Sequence, residues 1–335
     1  MKKWLFIILA VLLAGCSSSG EKQEAAPAGG EKKKEEKVTI MLDWYPNAVH
    51  SFLYAAEEKG YFQEEGIDLD IQFPANPTDP INLAAAGKVT LGISYQPDVI
   101  MARTDQGVDV KAVGAIVRSP LNHVMFLKDS PIESPKDLEG KTVGFTGIPL
   151  NEAIIDTMVE QDKGNPEKVK MTDVGFELNS AIVSKKADAV VGAYINHEVP
   201  LLKYEGYETR NLDPTKYGVP NFYELVAVTS DQTWEAEQEK IKAFWRAAEK
   251  GFEFTEKNPD EALQILLSKQ DEANFPLVEE VEKQSLDILL PKMKSEEGFG
   301  SQTKQPWEET ADWMKEAGLI KNEPNLEEMF VNIAN

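Results

Sequence analysis

A short apolar, β-branched run, Val38-Thr39-Ile40-Met41-Leu42, ends abruptly in Asp43-Trp44-Tyr45-Pro46-Asn47-Ala48-Val49-His50. That pattern reads as a buried strand delivering a polar and aromatic loop to its carboxyl end. A helix is expected to follow from His50 to Glu58. Beyond it, Ile67-Asp68-Leu69-Asp70-Ile71-Gln72-Phe73 alternates with period two and predicts a strand. After a Pro-containing loop, Pro80 to Ala86 reads as a short helix, Val89 to Ser94 as a strand, Pro97 to Thr104 as a helix and Val110 to Ile116 as a strand. Such alternation implies an α/β fold, a parallel sheet covered by helices on both faces. In such sheets ligands lie outside the carboxyl ends of the strands, which makes the Asp43–His50 loop the first candidate site.

After Leu121 the same grammar starts again. Lys141-Thr142-Val143-Gly144-Phe145-Thr146-Gly147-Ile148-Pro149-Leu150-Asn151 repeats the order of strand, loop, proline, amide and helix seen at the start. Gly92-Ile93-Ser94-Tyr95-Gln96-Pro97-Asp98-Val99 likewise has a partner in Gly192-Ala193-Tyr194-Ile195-Asn196-His197-Glu198-Val199. Two similar lobes are therefore expected, facing each other as in a periplasmic-type binding protein. Lobe 1 would comprise residues 38–121 and 223–335, and lobe 2 residues 122–222. Glu224 to Thr229 would carry the chain back, and two crossings make a hinge.

The remainder is helical. Ile241, Phe244, Trp245, Ala248 and Phe252 recur at helical spacing among charged residues, an apolar stripe for lobe 1. Asn258-Pro259-Asp260-Glu261 reads as an N-cap with proline and acids in the first turn. Trp307 and Trp313 are expected to pack rather than bind.

The amino-terminal end belongs to no fold. Two lysines, eleven apolar residues from Trp4 to Ala14, then Gly15-Cys16 form an export signal too short to span roughly 30 Å of hydrocarbon. Residues 1–16 resemble a lipoprotein signal, with Cys16, the sole cysteine of the chain, expected as the lipid attachment point and a plain secretory signal with an incidental cysteine as the alternative. Without a second cysteine there is no intrachain disulfide and no cysteine-based metal site. Residues 17–37, composed of Ser, Gly, Ala, Pro, Glu and Lys, read as a flexible tether.

Charge narrows the partners. The chain holds 35 basic and 57 acidic residues, a net charge of −22. Seven lysines and five glutamates fall in the first 37 residues, so the rest carries 28 against 52, a net −24. That disfavours nucleic acid and polyanions. No phosphate-cradling loop, metal-spaced His or Cys cluster, or nucleophile elbow is present, so no catalytic residue, cofactor or metal is expected.

Leu42-Asp43-Trp44-x-Pro46-Asn47-x-x-His50, followed by Tyr54-Ala55-Ala56, Gly60-Tyr61-Phe62 and Gly66-Ile67, resembles the thiamine-precursor branch of solute-binding proteins, the ThiY family, whose fungal relatives are pyrimidine synthases. The resemblance runs through the mature chain. It implies the type II form of the two-lobed fold and a receptor for a small aminopyrimidine, the formylated aminomethyl-methylpyrimidine of thiamine salvage. It further implies an ABC permease with its ATPase as partner. The synthases carry a cysteine cluster that would fall near Pro220-Asn221-Phe222-Tyr223-Glu224, where this chain has none. An enzyme of the synthase type and a receptor for another solute, such as a sulfonate or bicarbonate, remain as alternatives.

A methyl-aminopyrimidine needs flat aromatic walls and a polar edge. Trp44 offers an indole face, or packs between the lobes. Asn47 offers a donor and an acceptor, or caps the following helix. His50 lies one turn on; it corresponds to an active-site histidine of the resembled synthases, or has a hydrogen-bonded structural role. Tyr95 and Tyr194 are expected on opposite ligand faces, and Glu198 on an exocyclic amino group, with a solvated helix-start glutamate as the plainer reading. Gln96, Ser119, Asn122 and Tyr223 fall by topology at the cleft or hinge.

Overall fold

The computed structural model describes residues 35–333 apart from 176, 272 and 274; the signal, Cys16 and most of the expected tether lie outside the described residues. Ten strands form two five-stranded sheets. The first contains β1 (Glu36–Met41), β2 (Ile67–Gln72), β3 (Leu91–Ser94), β4 (Val110–Val117) and the late strand β10 (Leu225–Ser230), in the order β2-β1-β3-β10-β4. The second contains β5 (Asn122–Leu127), β6 (Thr142–Phe145), β7 (Lys170–Asp173), β8 (Ala189–Tyr194) and β9 (Thr209–Leu212), in the order β7-β6-β8-β5-β9. In each, one strand runs against the rest: β10 is antiparallel to β3 and β4, and β5 to β8 and β9. The shared order places β1 where β6 stands and β3 where β8 stands. The repeat legible in the sequence is thus a repeat of topology, and the fold is the two-lobed type II form.

Strand β1 starts two residues before the expected Val38, because the Glu36 N–H donates to Gly66 O and Lys37 pairs with Asp70. Helices α1 (Ser51–Glu58) and α2 (Tyr61–Glu65) cover one face of the first sheet together with the long α8 (Asp231–Lys257); α3 (Asp79–Ala85) and α4 (Gln96–Thr104) cover the other. Around the second sheet, α5 (Pro149–Gln161) packs on one face and α6 (Leu178–Val183) and α7 (Glu198–Tyr204) on the other. The chain ends in α9 (Pro259–Ser268), α10 (Glu279–Met293), α11 (Lys304–Glu316) and α12 (Leu326–Met329). No helix among the described residues is long and apolar enough to cross a membrane.

The predicted stripe on α8 is buried in full, from Ile241 to Phe252. The helix itself begins ten residues earlier, where Ser230 caps it by accepting the Thr233 N–H at 3.0 Å. Asn258 occupies the expected N-cap position of α9, with Pro259, Asp260 and Glu261 in the first turn, but its side chain makes no capping bond there: Nδ2 donates backward to Phe254 O at 3.1 Å, closing α8. Trp307 and Trp313 are buried, as their spacing suggested. Trp313 also donates from Nε1 to Thr157 Oγ1 at 2.9 Å, so it links α11 to α5 on the second sheet.

One contact sets how closely α8 approaches the first sheet. Trp245 lies flat over β4, its Nε1 donating to Phe299 O at 2.9 Å, and a Cβ on Gly114 would meet the ring at 2.5 Å. Only glycine admits this packing. Gly114→Ala is expected to destabilise the protein by about 1–3 kcal/mol, the usual range for overpacking a core. In urea unfolding the midpoint should fall with the slope unchanged; an unmoved midpoint would show that Trp245 has room to shift.

Candidate functional site

The loop after β1 is built around a buried acid. Asp43 is 5% exposed and its Oδ1 lies 2.9 Å from His50 Nε2. His50 Nδ1 accepts the Asn47 N–H at 3.2 Å, so the proton of this imidazole sits on Nε2 and is donated to Asp43. Asn47 in turn accepts the Val49 N–H at 3.1 Å and donates to Tyr45 O at 3.0 Å. Asn47 therefore takes the capping role, and His50 the structural one; both serve to aim Asp43 rather than presenting free edges. From α10, buried Glu282 accepts the Ala48 N–H at 2.7 Å and pins the same turn.

Trp44 stands at the rim, 40% exposed and edge-on to Tyr45 with centroids 5.6 Å apart. Tyr45 stacks on Phe275 at 3.5 Å and leans on Phe73 at 5.6 Å. The indole thus belongs to an aromatic margin around the Asp43 loop.

Tyr95 follows β3 and Tyr194 ends β8, the equivalent positions of the two sheets. The structure brings them side by side rather than across an open slot. Burial first, then the carboxylates around them, hold both phenols well above their ordinary range, so both remain hydrogen-bond donors. Tyr194 donates to Glu224 Oε1 at 2.8 Å.

Glu224 is the residue that sequence reasoning missed. It is 3% exposed, and its Oε2 accepts the Leu121 N–H at 2.6 Å and the Asn122 N–H at 3.4 Å. Burial pushes its carboxyl up despite those donors, with Asp43 adding to the effect. Asp98, in the first turn of α4, is pushed up to about 6 by burial and by Glu224. Asp43, Asp98 and Glu224 thus share one field around Tyr95. None of the three is within ion-pair distance of a lysine or arginine among the described residues. The available signal was an acid at the end of an apolar strand, at the second crossing.

Glu198, expected at the ligand's edge, accepts the Tyr194 N–H at 2.6 Å with one oxygen and lies 3.1 Å from His197 Nδ1 with the other. Its carboxylate closes its own turn. Asn122 donates to Asn151 Oδ1 at 2.8 Å and accepts the Gly192 N–H at 2.7 Å, a brace within the second sheet. Gln96 accepts the Tyr223 N–H at 2.7 Å and keeps a buried, unpartnered Nε2. Tyr223 reaches Thr303, and Ser119 accepts from Lys292 at 2.9 Å. Gln96 and Tyr223 thus bond each other, Ser119 and Asn122 bond elsewhere, to Lys292 and within the second sheet, and Trp44, Tyr95 and Tyr194 border the acid cluster.

An arrangement of buried acceptors, phenolic donors and an aromatic margin suits a flat, donor-rich, basic heterocycle and repels anions. Among solved structures, the periplasmic aliphatic sulphonate binding protein SsuA from Escherichia coli superposes with a TM-score of 0.71 at 14% identity, covering 87% of this chain and 96% of that one. The chain is 54% identical over 297 residues to the formylaminopyrimidine-binding protein of Halalkalibacterium halodurans, covering 88% of this chain and 90% of that protein. It is 27% identical over 251 residues to the 4-amino-5-hydroxymethyl-2-methylpyrimidine phosphate synthase THI11 of Saccharomyces cerevisiae, covering 72% and 73%. Residues 47–262 match the sequence model described as NMT1/THI5 like, and with them the chain belongs to the NMT1/THI5-like family.

Proposed function

We propose that the protein is the extracytoplasmic substrate-binding component of an ABC importer and captures a thiamine-related aminopyrimidine, N-formyl-4-amino-5-aminomethyl-2-methylpyrimidine, between its lobes. The observation that carries this is the cluster of Asp43, Asp98 and Glu224, none within ion-pair distance of a lysine or arginine among the described residues, beside two protonated phenols, one of which, Tyr194, donates to Glu224 at 2.8 Å. An exocyclic amino group finds acceptors there and a ring nitrogen finds phenolic donors, whereas a sulfonate or bicarbonate would face three carboxyl groups. The printed name of the 54% identical relative supports the same ligand. The absence of any cysteine from the segment around Asn221 argues for a receptor over a synthase.

In this reading the ligand lies between lobe 1 (38–121 and 223–335) and lobe 2 (122–222). Trp44 supplies a wall, Tyr95 and Tyr194 donate, and Glu224 with Asp98 takes the edge. Asn47 and His50 act through Asp43. Cys16 carries the lipid that tethers the protein to the cell membrane next to its permease.

Three outcomes test the reading. Glu224→Gln keeps the shape but turns an acceptor into a donor, and calorimetry with the formylaminopyrimidine should show an affinity loss of about 1–3 kcal/mol. Binding equal to the parent removes Glu224 from the site, and a parent that does not bind removes the ligand. The second concerns pH. The folded state favours protonated Asp98, so its contribution to stability is complete below its ordinary value of 3.8 and is lost as pH rises through about 6. Thermal unfolding without ligand should therefore give a melting temperature that falls across that window, and Asp98→Asn should flatten the fall; an equal slope in both would place the titration elsewhere. Third, Cys16→Ser should release soluble, ligand-competent protein from membranes, and retention in the membrane fraction would refute the anchor.

A further inference from the structure

At the hinge lies a cavity of about 320 Å³. Side chains along an extended chain alternate between faces. Accordingly Glu224 reaches Tyr194, while its neighbour Tyr223 points the other way, its hydroxyl accepting the Thr303 N–H at 3.0 Å. The cavity is bordered by both crossings, through Arg118, Ser119, Asn221 and Tyr223, and by Lys292 at the end of α10. The volume is at the lower end of the ~300–1,000 Å³ usual for small-molecule pockets.

Its charge is the opposite of the molecule's. Arg103, Arg210 and Arg246 each pair with a carboxylate, yet Arg118, the fourth arginine, has none within ion-pair distance among the described residues. Its guanidinium donates to Ser301 O and lies over the Tyr223 ring, 5.3 Å from the centroid. Among the described residues Lys292 has no carboxylate partner either; its ammonium donates to Ser119 Oγ at 2.9 Å and is 3.5 Å from Pro120 O. Ser119, accepting from Lys292, keeps its own O–H for another acceptor. Asp213 and Glu224 act on Lys292 only from a distance, and burial holds its ammonium below the ordinary value. In a chain with 57 acids, these two neighbouring, half-buried cations face a cavity lined by hydroxyls with no carboxylate within ion-pair distance among the described residues, whereas Lys294, at the same cavity, pairs with Glu256. A charge-assisted bond formed there gains from the reduced screening.

We infer that this cavity is a binding site for a small oxyanion of the phosphate or sulfate type, held by Arg118 and Lys292 with the Ser119 and Thr303 hydroxyls. It is separate from the aminopyrimidine site and does not depend on that assignment. An anion seated here bridges residues of both crossings to α10, and so stiffens the hinge.

The test is calorimetric titration of the protein with inorganic phosphate, at an ionic strength held constant with sodium chloride, followed by competition with sulfate. Saturable binding to one site is expected, weakened about tenfold or more in Lys292→Gln and in Arg118→Gln, as loss of a charge-assisted bond implies. Arg118→Lys, which keeps the charge but loses the fork, should fall between. Should Arg118→Gln unfold for want of its Ser301 contact, Lys292→Gln carries the test. Protection of Lys292 from reductive methylation by phosphate, measured on the unaltered protein, reads the same site. Absence of saturable binding in the parent, or equal binding in both Gln variants with no protection of Lys292, overturns the inference.

Discussion

A buried carboxylate with no lysine or arginine partner among the described residues ties the crossing segments of this molecule together. Removing Glu224 from water is unfavourable, and the structure compensates with two backbone N–H groups from the first crossing and a phenol from the second sheet. One side chain on the returning segment thereby fastens the outgoing segment and reaches the other lobe. Hinge and candidate site are consequently one object. Whatever moves the lobes must alter the donors around Glu224, and whatever brings a new donor to Glu224 biases the lobes.

The two sheets share one strand order and place tyrosines at equivalent ends, but their other loops diverge in chemistry. After β1 the loop carries Asp43 and an imidazole to orient it; after β6 the corresponding stretch carries Thr146 and Asn151, which bond each other, Asn151 also accepting from Asn122. Duplication supplied a cleft with matching walls, and side chains at the same topological positions made one wall acidic and the other an amide brace. The low identity to a sulphonate-binding protein of the same fold fits that division: backbone order sets where a ligand lies, and the charge at those positions sets which ligand.

Much of the architecture was legible because it is written in local patterns. Periodicity located most strands, the repeat announced two similar sheets, and it singled out Tyr95 and Tyr194 before any coordinates. The limits were equally physical. Glu198 and Glu224 are both glutamates near a strand end, and nothing local distinguishes the one that closes its own turn from the one whose partners lie a hundred residues away. Asn47 and His50 look available as isolated residues; only the folded turn shows that they satisfy each other. Asp98 is an ordinary first-turn acid until Glu224 is brought beside it.

The antiparallel strand β10 occupies an interior place in the first sheet, between β3 and β4, although it is made after every strand of the second. A chain crossing a membrane with its amino end leading would therefore emerge with β3 and β4 complete but their facing edges unpaired. The entire second sheet then follows, with all five strands in one continuous stretch. The lobe that begins first is completed last, and its open edges persist for the whole interval in between. A chain in that interval exposes those edges to proteases and to edge-to-edge association until Leu225–Ser230 arrives. The length of that interval is set by strand order alone.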